Sequence, residues 1–79
     1  MRVVIYTRPG CHLCDVARDV LRAQQERTPF VLEEVSIEGD DAMEIEYGIR
    51  IPVVEIDGRE VLEVEVDAAE LARLVADEA

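Results

Sequence analysis

The stretch that organises this chain is residues 3–14, Val-Val-Ile-Tyr-Thr-Arg-Pro-Gly-Cys-His-Leu-Cys. It begins as a short apolar run, passes through the turn-forming residues 8–10, and enters a helical pattern at the two cysteines. Because both alternating sets of the run are apolar, we predict a strand in the middle of an α/β sheet. The turn then presents Cys11 at a helix start, where unpaired backbone N–H groups favour the thiolate form of a cysteine.

Hydrophobic periodicity and turn residues place the other elements around this stretch. We predict helices over 11–26 and 41–47 and after Asp67, and strands over 30–37, 52–56 and 60–66. Asp57-Gly58 is a strong hairpin turn between the last two strands. The resulting order is β-α-β-(short α)-β-β-α, an α/β fold with a four-stranded mixed sheet and helices on both faces.

Two of these patterns predict which side chains are buried. The helix over 11–26 carries an apolar stripe at helical spacing, which we expect to face the core: Leu13, Val16, Ala17, Val20 and Leu21. In the strand over 60–66, alternation predicts Leu62, Val64 and Val66 inward and Glu63 and Glu65 outward. The short helix is expected to begin at a cap formed by Asp40 or Asp41.

Composition limits the classes of function. With 79 residues we expect one domain over 1–79, and with 19 acids, 8 arginines and a net charge of −11 we expect neither nucleic-acid binding nor binding to anionic membranes. No apolar run approaches the ~20 residues of a membrane span, and the first residues lack the layout of a signal peptide, so we expect a cytoplasmic protein. The acidic segments are either solvated surface or a docking patch for a basic partner.

The Cys11–Cys14 pair allows three interpretations. As a redox pair, Cys11 would attack a disulfide and Cys14 would resolve the mixed disulfide that forms. As a structural pair, the cysteines would be inert. As part of a metal site, they would need further ligands: His12 could supply a third ligand, but a four-cysteine zinc site needs a second pair, which the chain lacks. A cytoplasmic location favours catalysis or metal binding over a structural disulfide.

Residues 6–14, Tyr-Thr-Arg-Pro-Gly-Cys-His-Leu-Cys, resemble the opening of glutaredoxin-like proteins of the thioredoxin superfamily, in the short prokaryotic group with a C-H-L-C site. Residues 47–54 are similar to the segment that holds the cis-proline of that superfamily, and the resemblance covers nearly the whole chain. It implies a thioredoxin-like fold in which the Ile51–Pro52 bond is cis and faces the cysteines. It also implies that Ile51 offers its backbone N–H and C=O to an extended substrate.

The resemblance also suggests candidate binding residues. A basic residue near Arg8 binds glutathione in the family, and Arg50 would add positive charge on the other flank; the alternative is two ordinary surface arginines. His12 either stabilises the Cys11 thiolate or titrates independently of it. The glycine pair that usually holds the γ-glutamyl end of glutathione is replaced here by residues 64–68, where Asp67 and the following amides could substitute for it in part.

Together these observations predict a dithiol–disulfide oxidoreductase that serves electron transfer and cell redox homeostasis. Its substrates would be disulfides of proteins or small thiols, and its electrons would come from glutathione or a reductase protein. We expect a monomer with no bound cofactor and no metal. The alternatives are a dimer that shares an iron–sulfur cluster through Cys11, with or without glutathione, and a redox-inert thioredoxin-like domain.

Overall fold

The computed structural model describes residues 1–78, so Ala79, the last residue of the predicted domain, lies outside the described residues. Over these residues the chain forms four strands and three helices in the predicted order: β1 Arg2–Thr7, α1 His12–Arg27, β2 Val31–Ser36, α2 Asp41–Tyr47, β3 Val53–Ile56, β4 Arg59–Glu63 and α3 Ala68–Glu78. Most element ends lie within one residue of their predicted positions. The largest error is the end of β4, which we expected at residue 66.

The four strands form one mixed sheet in the order β2-β1-β3-β4. β1 pairs in parallel with β2 through the crossover helix α1, and it pairs antiparallel with β3. β3 and β4 form the predicted hairpin, whose turn residues Asp57 and Gly58 have φ angles of 49° and 84°. Asp57 also ties the turn to the start of β1, because its carboxylate accepts the Arg2 N–H at 2.9 Å.

One face of the sheet carries the main core. Val3 and Ile5 of β1 are fully buried, and the antiparallel register sets Ile56 and Val54 beside them. α1 and α3 cover this face and contact each other. Their buried apolar residues are Ala17, Leu21, Leu71 and Val75. Burying a large aliphatic side chain stabilises the fold by about 1.5–3 kcal/mol, so this layer holds α1 against the strand that leads to the cysteines.

The opposite face is only partly covered, contrary to the expectation that β1 is buried on both faces. Val4 and Tyr6 are half-buried, and Val31 of β2 is 63% exposed. The reason is that α2 has only seven residues and covers this face near Tyr6, where Tyr47 stacks on the Tyr6 ring with 4.3 Å between the centroids.

Three side chains predicted to be buried are exposed. Leu13 and Val16 of α1 are 41% and 43% exposed, and Val64 is 39% exposed. The α1 stripe that is buried instead consists of Cys14, Ala17, Leu21 and Gln24. Val64 does not continue β4 because its backbone turns into the left-handed region at φ 66°, which ends the alternation. Among residues 1–78, no helix has the length and apolar character needed to cross a membrane.

Candidate active site

A tight turn connects β1 to the cysteines. The Cys11 N–H donates to the Arg8 carbonyl at 3.3 Å, with Pro9 and Gly10 at the two central positions. Gly10 has φ 82°, a conformation that a type II turn requires at its third residue and that glycine adopts without strain. The order Pro-Gly at these positions therefore sets where Cys11 stands relative to the end of β1.

Cys11 is the N-cap residue of α1, one residue outside the predicted helix start. Its Sγ accepts the backbone N–H of Cys14 at 3.1 Å, so the sulfur satisfies one of the free donors of the first helical turn. The same interaction, together with the helix dipole, stabilises negative charge on Cys11 when the pair is reduced.

The two cysteines form a disulfide with 5.2 Å between their Cα atoms. Cys11 is half-buried, whereas Cys14 has no exposed surface. A substrate can therefore approach Cys11 and cannot approach Cys14 in this state. Cys11 is therefore the accessible sulfur of the pair and Cys14 the shielded one.

The Ile51–Pro52 peptide bond is cis, which confirms the prediction from the resemblance. Pairing of Tyr6 with Val53 sets Pro52 beside the end of β1, at the same edge of the sheet as the cysteines. The Val64 N–H donates to the carbonyls on both sides of Ile51, those of Arg50 at 3.0 Å and Pro52 at 2.9 Å. Within residues 1–78, the N–H and C=O of Ile51 itself form no hydrogen bond, so both remain available to an extended segment.

Both flanking arginines are paired with carboxylates. Arg8 donates to Glu44 of α2 at 3.1 Å. Arg50 donates to Glu60 at 2.9 Å and to Glu63 at 3.0 Å, and its guanidinium lies 5.5 Å from the centre of the Tyr47 ring. The hydrogen bonds to Glu60 and Glu63 raise the pKa of Arg50 above its ordinary value. The positive charge expected at both flanks is thus compensated by neighbouring acids.

The remaining candidates lie at helix starts. His12 is the first residue of α1 and is exposed. Asp67 caps α3, because its carboxylate accepts the Glu70 N–H at 2.9 Å. The cap engages one of the oxygens that a ligand would otherwise contact.

A partly buried polar link next to the site was missed in the sequence. Thr7, which is 3% exposed, donates its hydroxyl to Glu34 of β2 at 2.9 Å. Arg18 of α1 donates to both carboxylate oxygens of Glu34, at 2.8 and 2.6 Å, and these bonds lower the pKa of Glu34. The link joins β1, β2 and α1 directly beneath the turn that carries Cys11. Its only sequence signal is a carboxylate in β2 on the same face of the sheet as Ile5.

A groove that begins at the cysteine motif was also missed. It has a volume of about 280 Å³ and is lined by Leu13 and Val16 of α1 and by residues 64–67. Elsewhere within residues 1–78, no group of three or more His, Cys, Asp or Glu side chains is placed to hold a metal ion.

Comparison with known proteins agrees with this geometry. Residues 2–76 match the model of the family described as glutaredoxin-like domain (DUF836). No curated protein matches the chain.

Several solved structures are similar over most of the chain. The X-ray structure of the structural-genomics target protein XcR50 from X. campestris has 37% sequence identity and a TM-score of 0.80, with 98% of this chain and 97% of that chain covered. Protein Ne2328 from Nitrosomonas europaea has 29% identity and a TM-score of 0.78, with 92% and 88% covered. Fasciola hepatica thioredoxin, at 18% identity, shares the fold with a TM-score of 0.68, with 99% and 80% covered. With its close cysteine pair at the start of α1, the chain belongs to the glutaredoxin-like domain family and has the thioredoxin fold.

Proposed function

We propose that the protein is a dithiol–disulfide oxidoreductase that uses Cys11 as the nucleophile and Cys14 as the resolving thiol. The observation that carries the proposal is the asymmetry of the pair: Cys11 is accessible and accepts a helix N–H, whereas Cys14 is fully buried one turn further along. Membership of a glutaredoxin-like family with the thioredoxin fold supports a redox function for such a pair.

The neighbouring backbone supports the same chemistry. A substrate segment that binds the free N–H and C=O of Ile51 would run along the sheet edge beside Cys11, as a short added strand. Pro52, fully buried, would fix the position of the Ile51 backbone that binds the substrate, and His12 would face the solvent beside the reacting sulfur. Electrons would return to the dithiol from glutathione or from a reductase protein.

The experiment that tests the roles compares Cys14→Ser with Cys11→Ser. The Cys14→Ser variant retains the nucleophile and lacks the resolving thiol, so it should accumulate mixed disulfides when it is incubated with an oxidised peptide. Mass spectrometry of the intact protein detects the added mass. The Cys11→Ser variant, in which the remaining thiol is buried, is the matched control and should accumulate none. Trapping by Cys11→Ser alone would reverse the assignment, and trapping by neither variant would reject the proposed function.

An equilibrium redox titration of the Cys11–Cys14 pair determines the direction of electron flow. A potential near the roughly −270 mV of thioredoxin indicates a reductant, whereas one near roughly −120 mV indicates an oxidant of dithiols. Because the two residues between the cysteines are His12 and Leu13, where thioredoxins commonly carry Gly-Pro and glutaredoxins Pro-Tyr, the measurement is needed for this chain itself.

A further inference from the structure

The groove beside the cysteines exposes apolar side chains at the place where a substrate must approach. Leu13 lies between the two cysteines in the sequence, and Val16 follows one helical turn later on the same side of α1. Val64 forms the facing wall. All three are about two-fifths exposed, at 41%, 43% and 39%. Because the three side chains line one groove, an apolar group that enters it can remove their exposed surface from water.

The backbone at Val64 is a second indication that this wall binds something. Its φ of 66° lies in the left-handed region, which is unfavourable for a β-branched residue and free of strain for glycine. Position 64 therefore carries an apolar side chain on a backbone conformation that glycine adopts most easily. Such outliers are typical of functional sites.

The rim of the groove is negatively charged. Glu65 and Asp67 line it, and neither forms an ion pair within the described part of the chain. No arginine lines the groove, and the two arginines at the flanks of the site, Arg8 and Arg50, are held by glutamates. An occupant with cationic groups is attracted to this rim, and one with carboxylates is repelled by it.

The size of the groove limits what it accommodates. Its volume of about 280 Å³ is just below the roughly 300–1,000 Å³ of typical small-molecule pockets. This is space for one or two apolar side chains.

We propose that this groove selects disulfides in cationic protein segments, binding an apolar side chain near the substrate cysteine, and that it disfavours glutathione disulfide. The inference rests on the proposed function and names the substrate class of the same site. Glutathione presents carboxylates at both ends of a small polar chain, so it lacks the apolar group for the groove and carries the wrong charge for the rim. A segment with an apolar residue and an arginine or lysine beside its cysteine has both features.

The reaction with such a segment balances as two exchange steps. The Cys11 thiolate attacks one sulfur of the substrate disulfide, which forms the mixed disulfide and releases the first substrate thiolate. The Cys14 thiolate then attacks the Cys11 sulfur, which forms the Cys11–Cys14 disulfide and releases the second. Two electrons pass from the protein to the substrate, and solvent protonates the released thiolates according to their acidity.

Reduction rates of four disulfides test the inference. Three are symmetric disulfides of blocked tripeptides, Arg-Cys-Leu, Glu-Cys-Leu and Arg-Cys-Ser, and the fourth is glutathione disulfide. Neutral 2-hydroxyethyl disulfide serves as a measure of basal activity. At low salt we expect the Arg-Cys-Leu disulfide to react about tenfold faster than the Glu-Cys-Leu disulfide, because the acidic rim steers cationic substrates. We expect it to react about fivefold faster than the Arg-Cys-Ser disulfide, because the groove buries leucine.

Two charge-reversal variants show whether the preference for a cationic substrate arises at the groove. Glu65→Arg should bring the tenfold charge preference close to unity, because the substitution places a cation on the rim of the groove. Glu26→Arg changes the net charge by the same amount near the other end of α1, about 22 Å of helix away from Cys11, and should leave the preference nearly unchanged. Leu13→Ser should remove the preference for leucine over serine.

The outcomes separate this inference from the proposed function. Reduction of glutathione disulfide at least as fast as the Arg-Cys-Leu disulfide would overturn substrate selection by the groove. Equal effects of Glu65→Arg and Glu26→Arg would overturn it too, because the preference would then belong to the net charge of the chain. If 2-hydroxyethyl disulfide is not reduced at all, the proposed function fails, and this inference fails with it.

Discussion

Replacement of Glu34 should destabilise the protein more than replacement of its neighbour Glu33, although both glutamates pair with an arginine. Glu34 accepts two hydrogen bonds from Arg18 and one from the buried hydroxyl of Thr7. Glu33 lies on the open face of the sheet and pairs with Arg2, whose side chain is 62% exposed. The two positions therefore provide a matched comparison on one strand.

The magnitude follows from the contacts. The Arg18–Glu34 pair is partly exposed, at 24% and 38% of the two side chains, so its loss costs about 0.5–1 kcal/mol. Leaving the Thr7 hydroxyl buried without an acceptor costs about 1 kcal/mol more. We expect Glu34→Ala to lower the free energy of unfolding by about 1.5–2 kcal/mol. Glu34→Gln retains an acceptor for Thr7 and should cost about 0.5–1 kcal/mol.

Urea unfolding of the disulfide form, followed by circular dichroism at pH 7, measures these values. Glu33→Ala is the control and should stay within about 0.5 kcal/mol of the wild type. Thr7→Val added to Glu34→Ala should recover part of the loss, because it removes the unpaired hydroxyl. If Glu34→Ala and Glu33→Ala cost the same, the assignment of the Thr7–Glu34–Arg18 link as a stabilising contact is wrong.

The same link has a defined pH dependence. The hydrogen bonds from Arg18, more than any other contact, hold the pKa of Glu34 in the folded protein below its ordinary value. A lowered carboxylate pKa contributes stability that is present above the unfolded value of about 4.3 and is lost as the pH falls through the folded value. The difference in unfolding free energy between wild type and Glu34→Gln should therefore shrink below about pH 4. A difference that grows on acidification would contradict this sign.

Two further substitutions test how α2 and the loop after it are built. Gly48→Ala should lower the free energy of unfolding by about 1–3 kcal/mol, because the added Cβ would overlap the Glu44 carbonyl oxygen; a loss below 0.5 kcal/mol in urea unfolding would show that the loop yields easily. Asp40→Ala should cost about 1 kcal/mol, because the Asp40 carboxylate accepts the Met43 N–H at 3.0 Å. Asp41→Ala, one residue into the helix, is its control, and an equal loss from both would contradict the assignment of the cap.

The sequence predicts the element order because each signal is local. Apolar runs mark the strands, a helical stripe marks α1, and Asp57-Gly58 marks the hairpin, and all of these act over a few residues. The cap of α2 was narrowed to two aspartates, and the structure selects Asp40. Local signals also sufficed to place Cys11 at the start of α1, which is the central feature of the site.

The features that could not be predicted depend on contacts between distant residues. Alternation treats β4 as continuing to residue 66, but the Val64 N–H is bound by carbonyls of the loop before β3, and the strand ends at Glu63. The α1 stripe is rotated relative to the predicted one: Ala17 and Leu21 pack in the core with the sheet and α3, which leaves Leu13 and Val16 outside. In both cases the apolar residues have the spacing of a strand or a helix, but tertiary packing decides which of them are buried.

The charge at the site also depends on contacts between residues that are distant in the sequence. Arg8 and Arg50, the two arginines expected at the flanks of the site, are each neutralised by glutamates from other elements. A count of basic residues around the motif predicts attraction of anions. Because both arginines are paired, and because the unpaired charges at the groove are those of Glu65 and Asp67, we expect no attraction of anions there.

The turn after β4 carries the side chains on which the proposed substrate selection depends. The glycine pair implied there by the family resemblance would adopt a left-handed backbone without strain, and Val64 adopts such a backbone at φ 66°. The main-chain conformation at residue 64 therefore suits glycine, although the residue there is valine. Valine in place of glycine adds an apolar wall that faces Leu13 and Val16, next to the unpaired Glu65. The proposed selection therefore depends on side chains alone, and it leaves the Cys11–Cys14 geometry and the free backbone of Ile51 as they are.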